Sequence, residues 1–483
     1  MALMDGSRYK KSLADLNLCA NVMGKKAGCL TENPLVAPSV SALSATYDAA
    51  HAPADKDLFV VRSSLSGAPV NRFAHLFQSP EDLVAKVTMQ RRCGNITGCC
   101  FQRCVGMDAS NAVFSVTYEC DAARKTEYHQ RFLDFWKNVQ EKDLAVAGAM
   151  TDPKGDRSRR PADQSDPDLF LRVVEKRRDG IVVRGAKLHQ TGLLNSHEMI
   201  VMPTMALRPG EEQFCVSFAL PTNTKGLRYL YGRQASDTRK AEIPSSDAGN
   251  PSFGGQEVMV VFDDVFVPEE RVFLLGETEF AGSLVERFAS YHRQSYGGCK
   301  VGVGDVLIGA TALIAEMNGV ANASHVKDKI VEMIHLNETM FACGIACSAL
   351  GKATAAGNYL PDLLLANVCK QNVTRFPFEL ARFATDIAGG LLGTLPAAAE
   401  LDDAEAGPLL RKYLAAAPGF PTEERMRTLR FIENLTVGAG AVAYLVESMH
   451  GAGPPMAQRI MISRQANLEA KKNLARKIMA GCD

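Results

Sequence analysis

The chain has 483 residues, with 54 basic side chains, 54 acidic side chains and 13 cysteines. At ~150 residues per domain this length suggests about three structural units. Because the formal charge is zero, no net field attracts nucleic acid or an anionic membrane, and we expect neither as a partner. The N-terminal MALMDGSRYKK has no apolar signal-peptide core, so we expect a cytoplasmic protein with reduced cysteines.

Three stretches of different periodicity follow one another along the chain. Residues 1–144 carry helical spacings, as in DLVAKVTMQRR, with no alternating segment between them. Residues 145–278 hold short alternating segments and an Asp-Gly hairpin signal, which predict a β unit. Residues 279–483 return to long helical segments, typical of a bundle. The longest uncharged apolar-leaning stretch near the C-terminus, 434–446, is shorter than the ~20 residues that cross a bilayer.

Two groups of cysteine and histidine have helical spacing. Cys100 and Cys104 in CCFQRC share one face if that segment is helical. His292, Tyr296 and Cys299 follow at i, i+4 and i+7, although the Gly-Gly pair before the cysteine would loosen or end a helix there. Three thiols and one imidazole suit zinc or an iron–sulfur cluster. The same thiols could instead be buried core residues, and the spacing alone leaves both interpretations open.

Two glutamates and one loop are further candidates for chemistry. Glu257 precedes the apolar run VMVVF, where burial is costly without a partner, and a solvent-facing or salt-bridged residue is the alternative. Glu447, in AVAYLVESMHG, has apolar neighbours and could act as an acid or base, or simply be a helix-end charge. The loop AMTDPKGDRS can present backbone N–H groups, Lys154 or Arg157 to phosphate, or be a solvated turn. The glycine-rich GAGAVA at 438–443 follows no predicted strand and is expected to be close-packed helix.

Several strings together resemble one enzyme family. They are TGCCFQRCVGMDA, AMTDPKGDRS, HQTGLLNSHE, GGQEVMVVFDDVF, ERFASYHRQSYGGCKVGVGD, DIAGGL and ESMHGAG. The chain resembles the 4-hydroxybutyryl-CoA dehydratase family, also called vinylacetyl-CoA Δ-isomerases, within the 4-hydroxyphenylacetate 3-monooxygenase group. This resemblance implies an α+β, acyl-CoA dehydrogenase-like fold. Its expected parts are an N-terminal helical domain (1–144), a middle β-barrel domain (145–278) and a C-terminal helical bundle (279–483).

The resemblance also implies two cofactors and their ligands. A 4Fe-4S cluster is expected on Cys100, Cys104, His292 and Cys299, with Cys99 as a packing residue. FAD is expected on Ala149, Met150, Thr151, Lys154, Gly155, Asp156, Gln190 and Thr191. Gly389 and Gly390 are expected to contact the FAD of a neighbouring subunit, which implies a homo-oligomer, specifically a homotetramer. The implied catalytic residues are Gln102, Glu257, His292, Tyr296, Lys300 and Glu447.

The implied reaction is the dehydration of 4-hydroxybutyryl-CoA to crotonyl-CoA, with isomerisation of vinylacetyl-CoA to crotonyl-CoA. The thioester does not directly acidify C3, so the family uses a transient one-electron oxidation of the substrate enolate by FAD. In this scheme His292 and Glu447 are the leading groups for the two proton transfers. A two-component flavin-dependent aromatic monooxygenase of the same superfamily is the main alternative, and a non-catalytic relative is a third.

Overall fold

The computed structural model describes residues 3–232 and 247–480 and combines helix with sheet. The helices before residue 145 are α1 (Gly6–Ala14), α2 (Ala37–Ala49), α3 (Lys56–Phe59), α4 (Pro80–Thr97), α5 (Cys104–Arg124) and α6 (Tyr128–Lys142). Four short strands also lie there: β1 (Ala20–Val22), β2 (Lys25–Ala27), β3 (Val60–Arg62) and β4 (Pro69–Asn71). The sequence shows no alternating segment in this stretch, and it did not reveal these strands because segments of three residues are too short to show alternation.

The ends of α4 are set by its sequence. The Ser79 hydroxyl accepts a hydrogen bond from the backbone N–H of Asp82, and Pro80 occupies the first turn, where its missing N–H has no cost. At the other end Gly98 adopts φ 59°, a left-handed conformation that ends the helix. The cysteines that follow are thereby excluded from α4.

The middle stretch forms two sheets. Its strands are β5 (Val146–Ala149), β6 (Arg172–Arg177), β7 (Gly180–Thr191), β8 (Glu198–Val201), β9 (Val216–Pro221), β10 (Leu227–Tyr231), β11 (Glu257–Pro268) and β12 (Val272–Leu275). One sheet has the order β2-β1-β10-β11-β7-β6 and the other β12-β9-β8-β5. In place of the expected β-barrel, the described residues form two open sheets, and β1 from the first stretch joins one of them.

The last stretch is helical. Its helices are α7 (Thr278–Met317), α8 (Ser324–Ala349), α9 (Leu363–Val373), α10 (Phe376–Ala388), α11 (Leu391–Thr394), α12 (Ala406–Tyr413), α13 (Thr422–Thr436), α14 (Glu447–His450), α15 (Pro455–Gln465) and α16 (Leu468–Met479). A π-helical turn, Val442–Val446, leads directly into α14, and the two-residue strands β13 (Lys352–Ala353) and β14 (Tyr359–Leu360) pair with each other. Helices α7 and α8 are long and apolar enough to cross a membrane by length and composition alone, a feature that the sequence estimate at 434–446 missed. In the most apolar window of α7, 61% of the residues are buried inside the protein, as in a core helix.

Helix α7 runs unbroken through Gly297 and Gly298, contrary to the expectation that these glycines would loosen or end it. A Cβ on Gly298 would collide with the Val87 carbonyl oxygen of α4, and a Cβ on Gly297 would lie 2.8 Å from the Gly344 Cα of α8. The glycines thus allow close helix packing, and this packing offsets their low helix propensity. As a result His292, Tyr296 and Cys299 share one continuous helix in the protein core.

Candidate active site

Cys100 does not lie on a helix. The segment between Gly98 and Cys104 is a turn, and Gln102 in it has φ 61°. The condition under which Cys100 and Cys104 would share one helical face is therefore not met: Cys104 is the first residue of α5, and the left-handed residues separate Cys100 from both helices. The turn still brings the two cysteines to the same site.

Gln102 fixes this turn against the β sheets. Its Nε2 donates to the Gly254 carbonyl oxygen at 2.7 Å, and its Oε1 accepts from Nδ2 of Asn195 at 3.2 Å. The side chain is buried, and both ends of its amide are satisfied. Gln102 therefore holds the cysteine turn in position rather than presenting a free amide.

The three predicted cysteine ligands form one group. Cys104 and Cys299 lie within hydrogen-bonding reach of each other, and this contact raises the pKa of Cys104 and lowers the pKa of Cys299. Burial raises the pKa of Cys100, and the nearby Glu447 raises it further. The neighbouring Cys99 is buried and lines a cavity beside the site. The structure thus brings together thiols that are about 200 residues apart in the sequence.

His292 faces the same helix as Cys104. Its Nδ1 lies 2.8 Å from a carboxylate oxygen of Asp108, one turn after Cys104 on α5, and its ring is edge-on to Tyr296 at 5.2 Å between centroids. Within residues 3–232 and 247–480, no three His, Cys, Asp or Glu side chains converge as a single ion requires. A four-iron cluster instead takes one donor per iron, and three thiols with one imidazole suit iron–sulfur ligation. The donor set therefore fits such a cluster.

Two carboxyl groups meet beside the thiols. Burial raises the pKa of Glu257 well above its usual value, and the adjacent Glu447, within hydrogen-bonding reach, raises it further. Thr191 donates to Glu257 Oε1 at 2.7 Å, and Lys300 forms an ion pair with Glu447 at 2.8 Å. Burial disfavours the charged form of Lys300, but Glu447 and nearby thiols hold the pKa of this lysine well above its usual value. A carboxyl group with a raised pKa therefore adjoins one that is ion-paired with a lysine, an arrangement suited to proton transfer.

Tyr296 lies between two lysines. The ammonium of Lys300 is 5.2 Å from the ring centroid and that of Lys370, on α9, is 4.6 Å away. Burial raises the pKa of the Tyr296 hydroxyl, so it is a proton donor at neutral pH. A Cβ on Gly451 would overlap this hydroxyl, so glycine is required there for the close approach of the segment after Glu447.

A cavity opens beside the two carboxyl groups. It is lined by Cys99, Phe253, Gly254, Gly255, Gln256, Glu257, Asn434, Ala439, Gly440, Val442, Ala443 and Glu447. Part of the GAGAVA segment thus borders the site. Its two glycines pack closely against Asn434, as expected, and its last two residues begin the π-helical turn. Single π turns inside helices often mark functional sites, and here the turn precedes Glu447.

The predicted flavin residues lie on two adjacent elements. Ala149 ends β5, the loop from Met150 to Asp156 follows it, and Gln190 and Thr191 end β7. The Thr151 carbonyl oxygen accepts from the backbone N–H of Leu188 at 2.7 Å, which holds the loop beside β7. Gly389 and Gly390 lie elsewhere, exposed at the end of α10.

Basic groups gather at this loop. Lys154 and Gly155 have φ of 71° and 47°, which form a tight turn. Burial lowers the pKa of Lys154, and the nearby Arg157 lowers it further. Burial likewise lowers the pKa of His189, with contributions from Lys154, His450 and Arg157. This concentration of positive charge fits the phosphates of FAD.

Sequence reasoning missed three buried charged residues around the site. They are Lys86 on α4, Asp108 on α5 and Lys370 on α9. Each stands among apolar or small residues on a helix, and a charged residue at a buried helical position is the signal that would have identified them.

Two family models and one known enzyme match this chain over most of its length. The N-terminal and C-terminal family models of 4-hydroxyphenylacetate 3-hydroxylase match residues 5–274 and 281–480. The 4-hydroxybutyryl-CoA dehydratase/vinylacetyl-CoA-Delta-isomerase of Clostridium aminobutyricum is 58% identical over 485 residues, with 99% of each chain covered.

Solved structures give the same grouping. An oxygen-tolerant archaeal 4-hydroxybutyryl-CoA dehydratase from N. maritimus superposes with a TM-score of 0.97 at 52% identity, covering 100% of this chain and 96% of that one. The oxygenase component of 4-hydroxyphenylacetate 3-monooxygenase, complexed with FAD, reaches 0.85 at 26% identity, covering 99% and 98%. A glutaryl-coenzyme A dehydrogenase, 12% identical with a TM-score of 0.51 over 81% of each chain, shares the fold alone. The chain belongs to the 4-hydroxybutyryl-CoA dehydratase/vinylacetyl-CoA isomerase family, within the larger 4-hydroxyphenylacetate 3-hydroxylase family.

Proposed function

We propose that this protein dehydrates 4-hydroxybutyryl-CoA to crotonyl-CoA and isomerises vinylacetyl-CoA to crotonyl-CoA. The proposal rests on one observation: the paired carboxyl groups of Glu257 and Glu447 lie beside three clustered thiols in one site. The 58% identity to the dehydratase of Clostridium aminobutyricum over almost the whole chain supports the choice of substrate.

The chain's own residues supply the acid–base groups. Glu447, held by Lys300 at 2.8 Å, and His292 take the protons that leave C2 and C3 of the substrate, and one of these protons returns to C4 to form the methyl group of crotonyl-CoA, so that the net loss is one water. Burial and the adjacent Glu447 raise the pKa of Glu257, which favours its protonated form and a hydrogen bond to Glu447. Both carboxyl groups line the cavity, within hydrogen-bonding reach of each other.

The hydroxyl that leaves C4 needs a proton donor, and the negative charge that develops as it leaves needs to be stabilised. The Tyr296 hydroxyl, one turn from His292, donates to the leaving oxygen, and its raised pKa keeps it protonated until then. Lys300 lies between the Tyr296 ring and Glu447, where it stabilises negative charge that develops nearby.

FAD and a 4Fe-4S cluster complete the proposed site. Cys100, Cys104, Cys299 and His292 would hold the cluster, and the 149–156 loop with Gln190 and Thr191 would hold the flavin. When bound, FAD supplies a one-electron acceptor for the substrate enolate, and the cluster supplies a Lewis acid for the leaving hydroxyl. The exposed Gly389 and Gly390 would meet the FAD of a neighbouring subunit in a homotetramer.

The alternative function is a flavin-dependent aromatic monooxygenase, favoured by the 0.85 TM-score to the FAD complex of such an enzyme. That chemistry gives no role to Cys100, Cys104 and Cys299 as a group. Glu257 and Glu447 are likewise arranged for proton transfer rather than for holding a phenol.

Protein purified without oxygen distinguishes the two functions. We expect flavin absorption bands together with a broad iron–sulfur shoulder, about four iron atoms per chain as a cubane cluster requires, and conversion of 4-hydroxybutyryl-CoA to crotonyl-CoA without added reductant. Flavin bands alone, with hydroxylation of 4-hydroxyphenylacetate when reduced flavin and oxygen are supplied, would establish the monooxygenase instead. A Glu447→Gln variant with full FAD and iron content should lose the dehydration activity.

A further inference from the structure

A buried carboxylate beneath His292 takes no part in the proton transfers proposed above. Asp108, on α5, has a fully buried side chain. Its carboxylate lies 2.8 Å from His292 Nδ1, 3.0 Å from the Ser295 hydroxyl and 2.6 Å from the Lys86 ammonium. Three groups from two other helices therefore converge on this one carboxylate.

Lys86 anchors this carboxylate from α4. It is itself fully buried, and it donates to the Tyr291 carbonyl oxygen at 2.8 Å and to Oε1 of Gln294 at 3.0 Å. Its ammonium also lies 5.4 Å from the centroids of the Phe77 and Tyr291 rings. Because Lys86 has fixed contacts with α7, it holds Asp108 in one place relative to His292.

The other neighbours of His292 prevent rotation of its ring. Phe288 stacks on the imidazole at 5.5 Å with an interplanar angle of 14°, and Tyr296 approaches edge-on at 5.2 Å and 82°. Because Nδ1 donates a hydrogen bond to Asp108, only Nε2 of the imidazole is available to interact with other groups. Carboxylates that fix the tautomer and orientation of a ligating histidine commonly support metal sites.

We propose that Asp108 is a positioning residue that orients His292 and leaves its Nε2 to bind the cluster at rest or, when it is not bound there, to accept a substrate proton, with Lys86 and Ser295 holding the carboxylate. This inference deepens the proposed function and rests on the role of His292 there. The positioning itself is a property of the protein without cofactors. It can therefore be tested separately from the reaction.

The experiment compares wild type with Asp108→Asn. In protein freed of iron, ¹⁵N chemical shifts of labelled histidine, assigned with His292→Gln, report which ring nitrogen carries the proton. We expect wild-type His292 to be protonated at Nδ1 and Asp108→Asn to show a mixture, because an amide can present either its oxygen or its NH₂ group. In the iron-loaded protein, loss of iron to a chelator should be about 10- to 100-fold faster in the variant.

A matched control separates positioning from simple loss of a buried charge. Glu198→Gln removes another buried carboxylate, paired with Arg271 at 2.7 Å in the β region, and should change neither the His292 shifts nor the iron loss. If Asp108→Asn fails to fold because Lys86 is left unpaired, the double variant Lys86→Met with Asp108→Asn removes both charges and should show the same tautomer mixture. Wild-type shifts and wild-type iron retention in a folded Asp108 variant would overturn the inference. A wild-type enzyme that fails to dehydrate the substrate but keeps His292 protonated at Nδ1 would instead refute the proposed function alone.

Discussion

Replacement of Thr191 by valine tests whether the hydrogen bond from the Thr191 hydroxyl to Glu257 contributes to activity. Thr191 donates to Glu257 Oε1 at 2.7 Å, and valine keeps nearly the same shape without the donor. A typical hydrogen bond contributes about 0.5–1.5 kcal/mol, so kcat/KM for crotonyl-CoA formation should fall about 2- to 10-fold. This bond lowers the pKa of Glu257 against the larger effect of burial, so its loss should raise that pKa further.

The assay follows crotonyl-CoA formation without oxygen from pH 5 to 9, with FAD and iron contents measured for each preparation. Any limb of the pH profile that belongs to Glu257 should move to higher pH in Thr191→Val. Thr191→Ser keeps the hydroxyl and loses only a methyl group, so it should keep most of the activity. Equal losses in the valine and serine variants, or full activity in the valine variant with full FAD, would refute the reasoning.

Two further predictions concern the surroundings of Tyr296. Gly451→Ala places a methyl group against the Tyr296 hydroxyl and should lower both the activity and the folding stability, the latter by about 1–3 kcal/mol. The control Gly309→Ala has open space around its Cβ and should lower neither. Equal thermal midpoints for the two variants would contradict this prediction. Burial lowers the pKa of Lys370 from 10.5 to about 7, so between these values the unfolded chain binds more protons and the unfolding free energy of the wild type rises with pH. Lys370→Met removes this contribution. The difference between the thermal midpoints of the variant and the wild type should therefore shift against the variant as the pH is raised from 7 to 10. A difference that stays constant over this range would show that Lys370 does not titrate in it.

The helical spacing of His292, Tyr296 and Cys299 predicted their shared face correctly, but the expectation that the Gly-Gly pair would loosen or end the helix was wrong. His292, Tyr296 and Cys299 lie on one helix as their spacing indicates, and close packing preserves it through the glycines. The turn at Cys100 escaped prediction because it depends on positive φ at Gly98 and Gln102. Non-glycine residues adopt that conformation only where tertiary contacts hold them.

Contacts between distant elements account for the rest of what sequence reasoning missed. Glu257 and Glu447 are 190 positions apart, on a strand and on a short helix, and no local pattern indicates that their carboxyl groups meet. Their individual selection rested on apolar neighbours and on the family resemblance. Asp108 and Lys86 form an ion pair across two helices, which only the packing of α4, α5 and α7 reveals.

The most direct test of the proposed active site is removal of one thiol that the structure places within it. Cys104 begins α5 and lies within hydrogen-bonding reach of Cys299, so Cys104→Ala should lose the proposed cluster and keep FAD, whose proposed binding residues lie on other elements. We predict that wild type purified without oxygen converts 4-hydroxybutyryl-CoA to crotonyl-CoA, and that Cys104→Ala, folded and loaded with FAD, contains no iron and forms no crotonyl-CoA. Full dehydration activity in iron-free protein would contradict the account.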